Sequence, residues 1–72
     1  MDIKGSYSEA FANRALTYMK LGQYDQAIAD YNKAIGSDNS DASLYVDRGK
    51  AYNEKNMFKE AMEDLNKAIK LN

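Results

Sequence analysis

Apolar side chains recur with a helical period along most of the chain. Spacings of three and four residues place such side chains on one face of a helix with 3.6 residues per turn. The pattern therefore predicts an all-α chain of four helices, near 7–21, 24–36, 41–54 and 58–71. The positions that define the four faces are Phe11, Ala15, Tyr18 and Leu21, then Tyr24, Ala27, Ile28, Tyr31, Ala34 and Ile35, then Tyr45, Gly49 and Tyr52, and finally Phe58, Ala61, Met62, Leu65, Ala68 and Ile69.

The second pair of helices repeats the first at an offset of 34 residues. Aligning 6–38 with 40–72 pairs 33 positions, of which nine are identical, and many others keep the size class of the side chain. A tandem repeat of two helical units follows. The identical pairs are Ser6/Ser40, Arg14/Arg48, Tyr18/Tyr52, Ala27/Ala61, Asp30/Asp64, Asn32/Asn66, Lys33/Lys67, Ala34/Ala68 and Ile35/Ile69.

The residues at the predicted helix ends are typical of caps and turns. Ser6, followed by Glu9 three residues later, predicts a capping box for the first helix. Ser40 and Asp41 are predicted to accept hydrogen bonds from the free amides that open the third helix. Gly22 and Asn56 stand between paired helices, and both residue types readily adopt the left-handed backbone of a tight turn.

Small residues are predicted to bring the paired helices close together. Ala15 facing Ala27, and Gly49 facing Ala61, would let the helix axes approach toward the short end of the usual range of about 8–10 Å. A large side chain at these positions would force the helices apart.

The 34-residue unit resembles the tetratricopeptide repeat, because aromatic and small residues stand at that family's intervals in both halves. The resemblance covers 8–41 and 42–72 and implies one domain over 1–72, an α-solenoid of two antiparallel helical hairpins, the second without a capping helix. Two positions depart from the family pattern: Asn39 replaces the frequent proline after the second helix, and Asn56 replaces the turn glycine of the second unit.

The resemblance also implies a concave groove that holds an extended peptide or a partner helix, lined by the first helix of each unit. One subclass grips the carboxyl terminus of heat-shock chaperones, but only Asn13 matches its pattern, while Ser43 and Asp47 stand where Lys and Arg would be needed. The groove residues implied are Glu9, Ala12, Asn13, Leu16, Met19, Lys20, Ser43, Val46, Asp47, Lys50 and Asn53.

Composition narrows the chemistry. The 72 residues include neither Cys nor His and carry a net charge of −1. Without thiols or imidazoles, disulfides and the usual zinc and redox sites are excluded, and without excess positive charge nucleic acid and anionic membranes are unlikely partners. No apolar stretch reaches the roughly 20 residues of a membrane span. We expect a cytoplasmic protein that is not an enzyme and has no cofactor or metal.

Two sets of polar residues have structural explanations. Asp25, Asp30, Glu60, Glu63 and Asp64 lie three or four residues from lysines, which predicts solvated ion pairs rather than catalytic carboxylates. Five of the six tyrosines fall on the apolar faces, which favours core packing with hydroxyls at the rim over a binding cage; only Tyr7 lies outside these faces.

In a repeat array each unit covers the apolar face of the one before it, and we expect no further unit after the second repeat. A partly exposed end patch is therefore expected, formed by Tyr45, Tyr52, Met62, Leu65 and Ile69. Two hypotheses remain: a scaffold that binds a protein or peptide in its groove, or a self-associating structural or designed repeat fragment that forms a homodimer or higher oligomer through its end faces.

Overall fold

The described part of the chain forms four α-helices: α1 (Ile3–Lys20), α2 (Tyr24–Ser37), α3 (Ala42–Glu54) and α4 (Phe58–Leu71). A computed structural model describes residues 3–72, with side chains from residue 7 onward. No strand occurs within these residues. Helix α1 packs against α2, α3 against α4, and α2 against α3. The predicted all-α architecture of two stacked hairpins is confirmed.

The start of α1 differs from the prediction. The helix begins at Ile3, so Ser6 lies inside it and is not its N-cap. Residues 3–6 contain no proline, and once a helix is nucleated each added residue gains a hydrogen bond, so the helix extends one turn beyond the expected box. The predicted capping box of Ser6 and Glu9 is therefore wrong.

Both helical hairpins turn in the same way. Gly22 and Asn56 have positive φ angles of 75° and 62°. The amide of the next residue donates to the carbonyl of the last helical turn, Gln23 to Tyr18 and Met57 to Tyr52, each at 2.9 Å. This is the Schellman arrangement, which requires the left-handed residue. The predicted turn positions are confirmed.

The loop between the repeats caps α3 with one of its two predicted residues. The Asp41 carboxylate accepts a hydrogen bond from the Ser43 amide at 3.0 Å. The Ser40 hydroxyl instead donates to Asp38 at 2.6 Å, so Ser40 does not cap the helix. A carboxylate that already reaches the free amide leaves the preceding hydroxyl to stabilise the loop.

The core joins the two repeats. Tyr31 is fully buried with Ala15, Ala27 and Ala34, and Leu44 of α3 inserts into this cluster. In the second hairpin Gly49 faces Ala61 as predicted, since a Cβ built on Gly49 would lie 3.3 Å from the Ala61 carbonyl oxygen. Because Leu44 comes from the second repeat, the repeats share one core.

The tyrosines follow the core prediction with one exception. Tyr31 and Tyr45 are buried, Tyr18, Tyr24 and Tyr52 are half-buried, and Tyr7 is exposed. The Tyr31 hydroxyl does not reach the rim as expected, because it is buried and has no hydrogen-bond partner. Contact with Leu44 from the neighbouring repeat covers the side of α2 that would otherwise be open.

Candidate interaction surfaces

An arginine–aspartate ion pair joins the two helices of each hairpin and fixes their relative position. Arg14 donates from Nε and Nη2 to Asp30 at 2.6 and 2.8 Å. Arg48 donates in the same way to Asp64 at 2.9 and 2.7 Å. Both aspartates are buried. The prediction that they form solvated pairs with lysines is therefore wrong, because a forked guanidinium reaches across from the facing helix.

Each of these arginines also lies between two aromatic rings of its own helix. The Arg48 guanidinium carbon lies 5.6 Å from the centre of the Tyr45 ring and 5.8 Å from that of Tyr52. The Arg14 guanidinium has equivalent neighbours in Phe11 and Tyr18. These distances suit cation–π attraction. Both arginines thus take part in holding the fold together.

The pKa shifts agree with these pairs. Hydrogen bonds from Arg14 hold the pKa of Asp30 below its ordinary value, against the opposing effect of burial. The hydrogen bonds to Asp30 and Asp64 raise the pKa values of Arg14 and Arg48. Arg14, Asp30 and Arg48 are therefore held in their charged forms at neutral pH.

Two further contacts tie the repeats together. Arg48 donates from Nη1 to the Asn32 side chain of α2 at 2.8 Å. Lys55, at the end of α3, pairs with Asp25 at the start of α2. These contacts hold α3 against α2 and thereby join the two repeats.

A concave depression of about 290 Å³ opens between α1 and α3. It brings together five of the predicted groove residues: Glu9, Ala12, Leu16, Ser43 and Asp47. It also contains four residues that the sequence analysis did not place in the groove: Ser8, Asp38, Asp41 and Leu44. Sequence analysis missed Asp38 and Asp41 because aspartates at such positions are explained by loop formation and helix capping.

The other predicted groove residues lie outside this depression. Asn13, Lys20, Lys50 and Asn53 are exposed on α1 and α3, while Met19 is half-buried and packs against the core. Val46 faces a different cavity, described next. All eleven predicted groove side chains keep at least partial exposure. Their role in binding stays a prediction.

A second, apolar depression of about 450 Å³ lies on the end face, between α3 and α4. Val46, Leu65, Ala68 and Ile69 supply most of its surface. Subtracting 34 from these numbers gives Ala12, Tyr31, Ala34 and Ile35, which surround the site where α3 packs on the first repeat. The end face is thus the second copy of an internal interface.

The end patch differs in part from the prediction. Met62, Leu65 and Ile69 are exposed, and Phe58, which was not predicted there, is 60% exposed. Tyr45 is only 6% exposed, so its assignment to the patch is wrong. Its ring packs against Arg48, and its hydroxyl donates to the Asn39 carbonyl at 3.3 Å. Tyr52 is half-buried.

Family models of the tetratricopeptide repeat match this chain twice, over residues 8–38 and 42–72. The chain belongs to the tetratricopeptide repeat family. The two matches coincide with the two hairpins and with the 34-residue period. Members of this family are typically non-catalytic scaffolds.

Curated proteins that contain similar segments are much longer. Superkiller complex protein 3 of Homo sapiens is 34% identical over 94% of this chain, which spans 4% of that protein. Mitochondrial import receptor subunit TOM70 of Rattus norvegicus is 36% identical over 90% of the chain, or 12% of its own length. The small glutamine-rich tetratricopeptide repeat-containing protein of Dictyostelium discoideum is 43% identical over 90% of the chain, or 20% of its length. Membership of the family supports a protein–protein interaction scaffold.

Two observations bear on other kinds of site. Within residues 3–72, no group of three or more acidic side chains is arranged to hold a metal ion. None of the described helices combines the length and apolarity needed to cross a bilayer.

Proposed function

We propose that this chain acts as a single domain of two repeats, 8–41 and 42–72, which binds a peptide or a partner helix on the concave face of α1 and α3. It does so in the cytoplasm, without catalysis and without a cofactor. The observation that carries the proposal is the depression between α1 and α3, about 290 Å³ in volume and lined by polar and apolar side chains together. Concave sites of this mixed character suit an extended ligand.

The arginine–aspartate pairs support this assignment. In these pairs Arg14 and Arg48 hold the helices of each hairpin together. Asn13, Leu16 and Lys50 lie on the exposed surface, where a ligand can reach them. A groove on a rigid scaffold loses little conformational entropy when it binds.

A peptide array probed with the folded chain tests the proposal. Peptides captured by the chain should be lost when Asn13, Leu16 and Lys50 are all replaced by Ala. Replacing the exposed Leu21 by Ala is the matched control, because Leu21 lies in the turn after α1. Capture that survives the triple substitution would overturn the groove assignment.

A second candidate is self-association through the end face. The observation that favours it is the exposure of Met62, Leu65 and Ile69 beside the apolar depression of about 450 Å³. Exposed apolar patches of this kind are prone to bind other surfaces. Sedimentation over a concentration range tests it: we expect mass to rise with concentration in the unmodified chain and to stay monomeric in Ile69→Lys. A monomer at every concentration would exclude this candidate.

A further inference from the structure

The concave depression is acidic although the chain as a whole is nearly neutral. Four carboxylates stand among its lining residues, Glu9, Asp38, Asp41 and Asp47, and no lysine or arginine is among them. The net charge of the full sequence is −1. Negative charge is therefore concentrated on this surface, where it would attract a cation.

Two of these carboxylates form no ion pair among the described residues. Asp41 caps α3, and Asp38 accepts from the amide and hydroxyl of Ser40 in the loop. Glu9 of α1 and Asp47 of α3 belong to none of the three ion pairs that join the described residues. They face the same depression from opposite walls.

Asp47 is poorly solvated for a carboxylate. Burial raises its pKa, the charge of Asp41 raises it further, and Lys50 opposes both effects. A half-buried carboxylate without an ion pair gains more from an added cation than an exposed one does, because water screens the interaction less.

The buried hydroxyl of Tyr31 lies within electrostatic reach of Asp47. Tyr31 is fully buried, and its hydroxyl has no hydrogen-bond partner. Burial, followed by the charge of Asp47, raises the pKa of Tyr31 to about 12. Buried polar groups are nearly always paired, and this hydroxyl is an exception.

The remaining walls are apolar. Ala12, Leu16 and Leu44 supply them, with Leu16 partly exposed and Leu44 belonging to the core. An arginine side chain combines an aliphatic stem, which packs on such walls, with a planar guanidinium whose five N–H donors can reach two separate carboxylates.

We propose that the depression between α1 and α3 binds an arginine side chain of a basic partner peptide, with the guanidinium donating to Glu9 and Asp47. This inference rests on the proposed function, because it assigns the ligand class of the same groove. The aliphatic stem lies against Ala12, Leu16 and Leu44.

Titration of the isotope-labelled chain by NMR with three blocked peptides tests the inference. The first is acetyl-Ser-Leu-Arg-Leu-Ser-amide; the others replace the arginine with citrulline, which keeps its shape without its charge, and with glutamate. We expect the arginine peptide to shift the amide signals of Glu9, Leu16 and Asp47. The citrulline peptide should bind about fivefold to tenfold more weakly, and the glutamate peptide more weakly still.

Matched variants separate charge from folding. Glu9→Gln with Asp47→Asn should abolish the preference for arginine over citrulline, whereas Glu63→Gln, which removes an exposed carboxylate from α4, should leave it unchanged. Glu9→Gln alone, at an exposed position, keeps the test valid if the double variant does not fold. A thermal unfolding curve establishes which variants are folded.

The outcomes also separate this inference from the proposed function. Equal binding of arginine and citrulline peptides in the groove overturns the inference and leaves the groove proposal intact. So does an array in which groove-bound peptides show no enrichment in arginine. If no array peptide shifts α1 or α3 signals, both proposals are wrong.

Discussion

Helices α2 and α4 carry the same spacing of apolar residues but bury it to different extents. Tyr31 on α2 is fully buried, whereas its counterpart Leu65 on α4 is 42% exposed. Ile35 is half-buried, and its counterpart Ile69 is 71% exposed. The difference comes from α3, which covers α2 and inserts Leu44 into its core, while no helix of the described chain covers α4 in the same way.

The comparison shows that the spacing of apolar residues in a repeat specifies a helix. The neighbouring repeat then determines how much of the apolar face of that helix is buried. Small residues at the hairpin contact, Ala27 and Ala61, are buried in both repeats because their partners lie within the same hairpin. Larger residues further along the face depend on the next unit. The predictions below compare equivalent positions in the two repeats.

The largest contrast is expected between Tyr31→Ala and Leu65→Ala. Emptying the Tyr31 site should lower the free energy of unfolding by about 3–5 kcal/mol, because a large cavity opens in the shared core. Leu65→Ala should cost about 1 kcal/mol or less, since much of that side chain is already in water. Urea unfolding followed by circular dichroism measures both. Similar losses for the two variants would contradict the difference in burial.

Gly49→Leu tests the contact between α3 and α4. A Cβ added at this position would lie 3.3 Å from the Ala61 carbonyl oxygen, so a leucine should cost about 1–3 kcal/mol or more through overpacking. Ala27→Leu should act in the same way in the first hairpin. Gly36→Leu is the control, because nothing lies within 4 Å of a Cβ built there. An unchanged thermal midpoint for Gly49→Leu would refute the close approach.

Asp64→Asn and Asp30→Asn compare the two arginine–aspartate pairs. Asp64→Asn should lower the free energy of unfolding by about 1–3 kcal/mol, because it leaves the largely buried Arg48 without its carboxylate. Asp30→Asn should have a smaller effect, since the Arg14 side chain is 56% exposed, against 20% for Arg48, and water can solvate it. Thermal unfolding at neutral pH shows which variant loses more stability. A larger loss of stability in Asp30→Asn than in Asp64→Asn would contradict this prediction.

The smallest expected effect is a change in the free energy of unfolding at acidic pH. The pKa of Asp30 is lower in the folded chain than its ordinary value, so its contribution is complete above about pH 4 and is lost as pH falls below that value. The difference in unfolding free energy between the unmodified chain and Asp30→Asn should narrow over that range. For Asp47 the pH dependence of stability has the opposite sign. Because its pKa is raised in the folded chain, the unmodified protein should gain stability relative to Asp47→Asn as pH falls. If the unfolding free energies of the unmodified chain, Asp30→Asn and Asp47→Asn changed with pH in parallel, both pKa shifts would be contradicted.

Sequence reasoning found the hairpins, their turns and the facing small residues, because these depend on contacts between residues close in the chain. It misread Asp30 and Asp64, since helical spacing directed attention to lysines on the same helix rather than arginines on the facing one. A signal was present: each aspartate lies 16 residues after an arginine in both repeats, and all four positions are identical at the 34-residue offset. Pairs of opposite charge that repeat together indicate a structural contact.

The candidate site was only partly predictable for a related reason. Glu9, Leu16 and Asp47 were assigned to the concave face, but Asp38 and Asp41 come from a loop whose path depends on how the repeats stack. The exposed position expected for Tyr45 was wrong because its ring packs against the Arg48 guanidinium. These placements depend on three-dimensional packing that no local period encodes.

The amino-acid sequence by itself determined four helices, a 34-residue repeat, two left-handed turns and the absence of thiol and imidazole chemistry. Those properties follow from backbone preferences, side-chain period and residue inventory, all of which act locally. The tertiary structure alone decided which carboxylates are paired and which remain at the concave surface, and which copy of the apolar face is covered. Burial and charge pairing are set by neighbours distant in the chain, because water is excluded only where two elements meet.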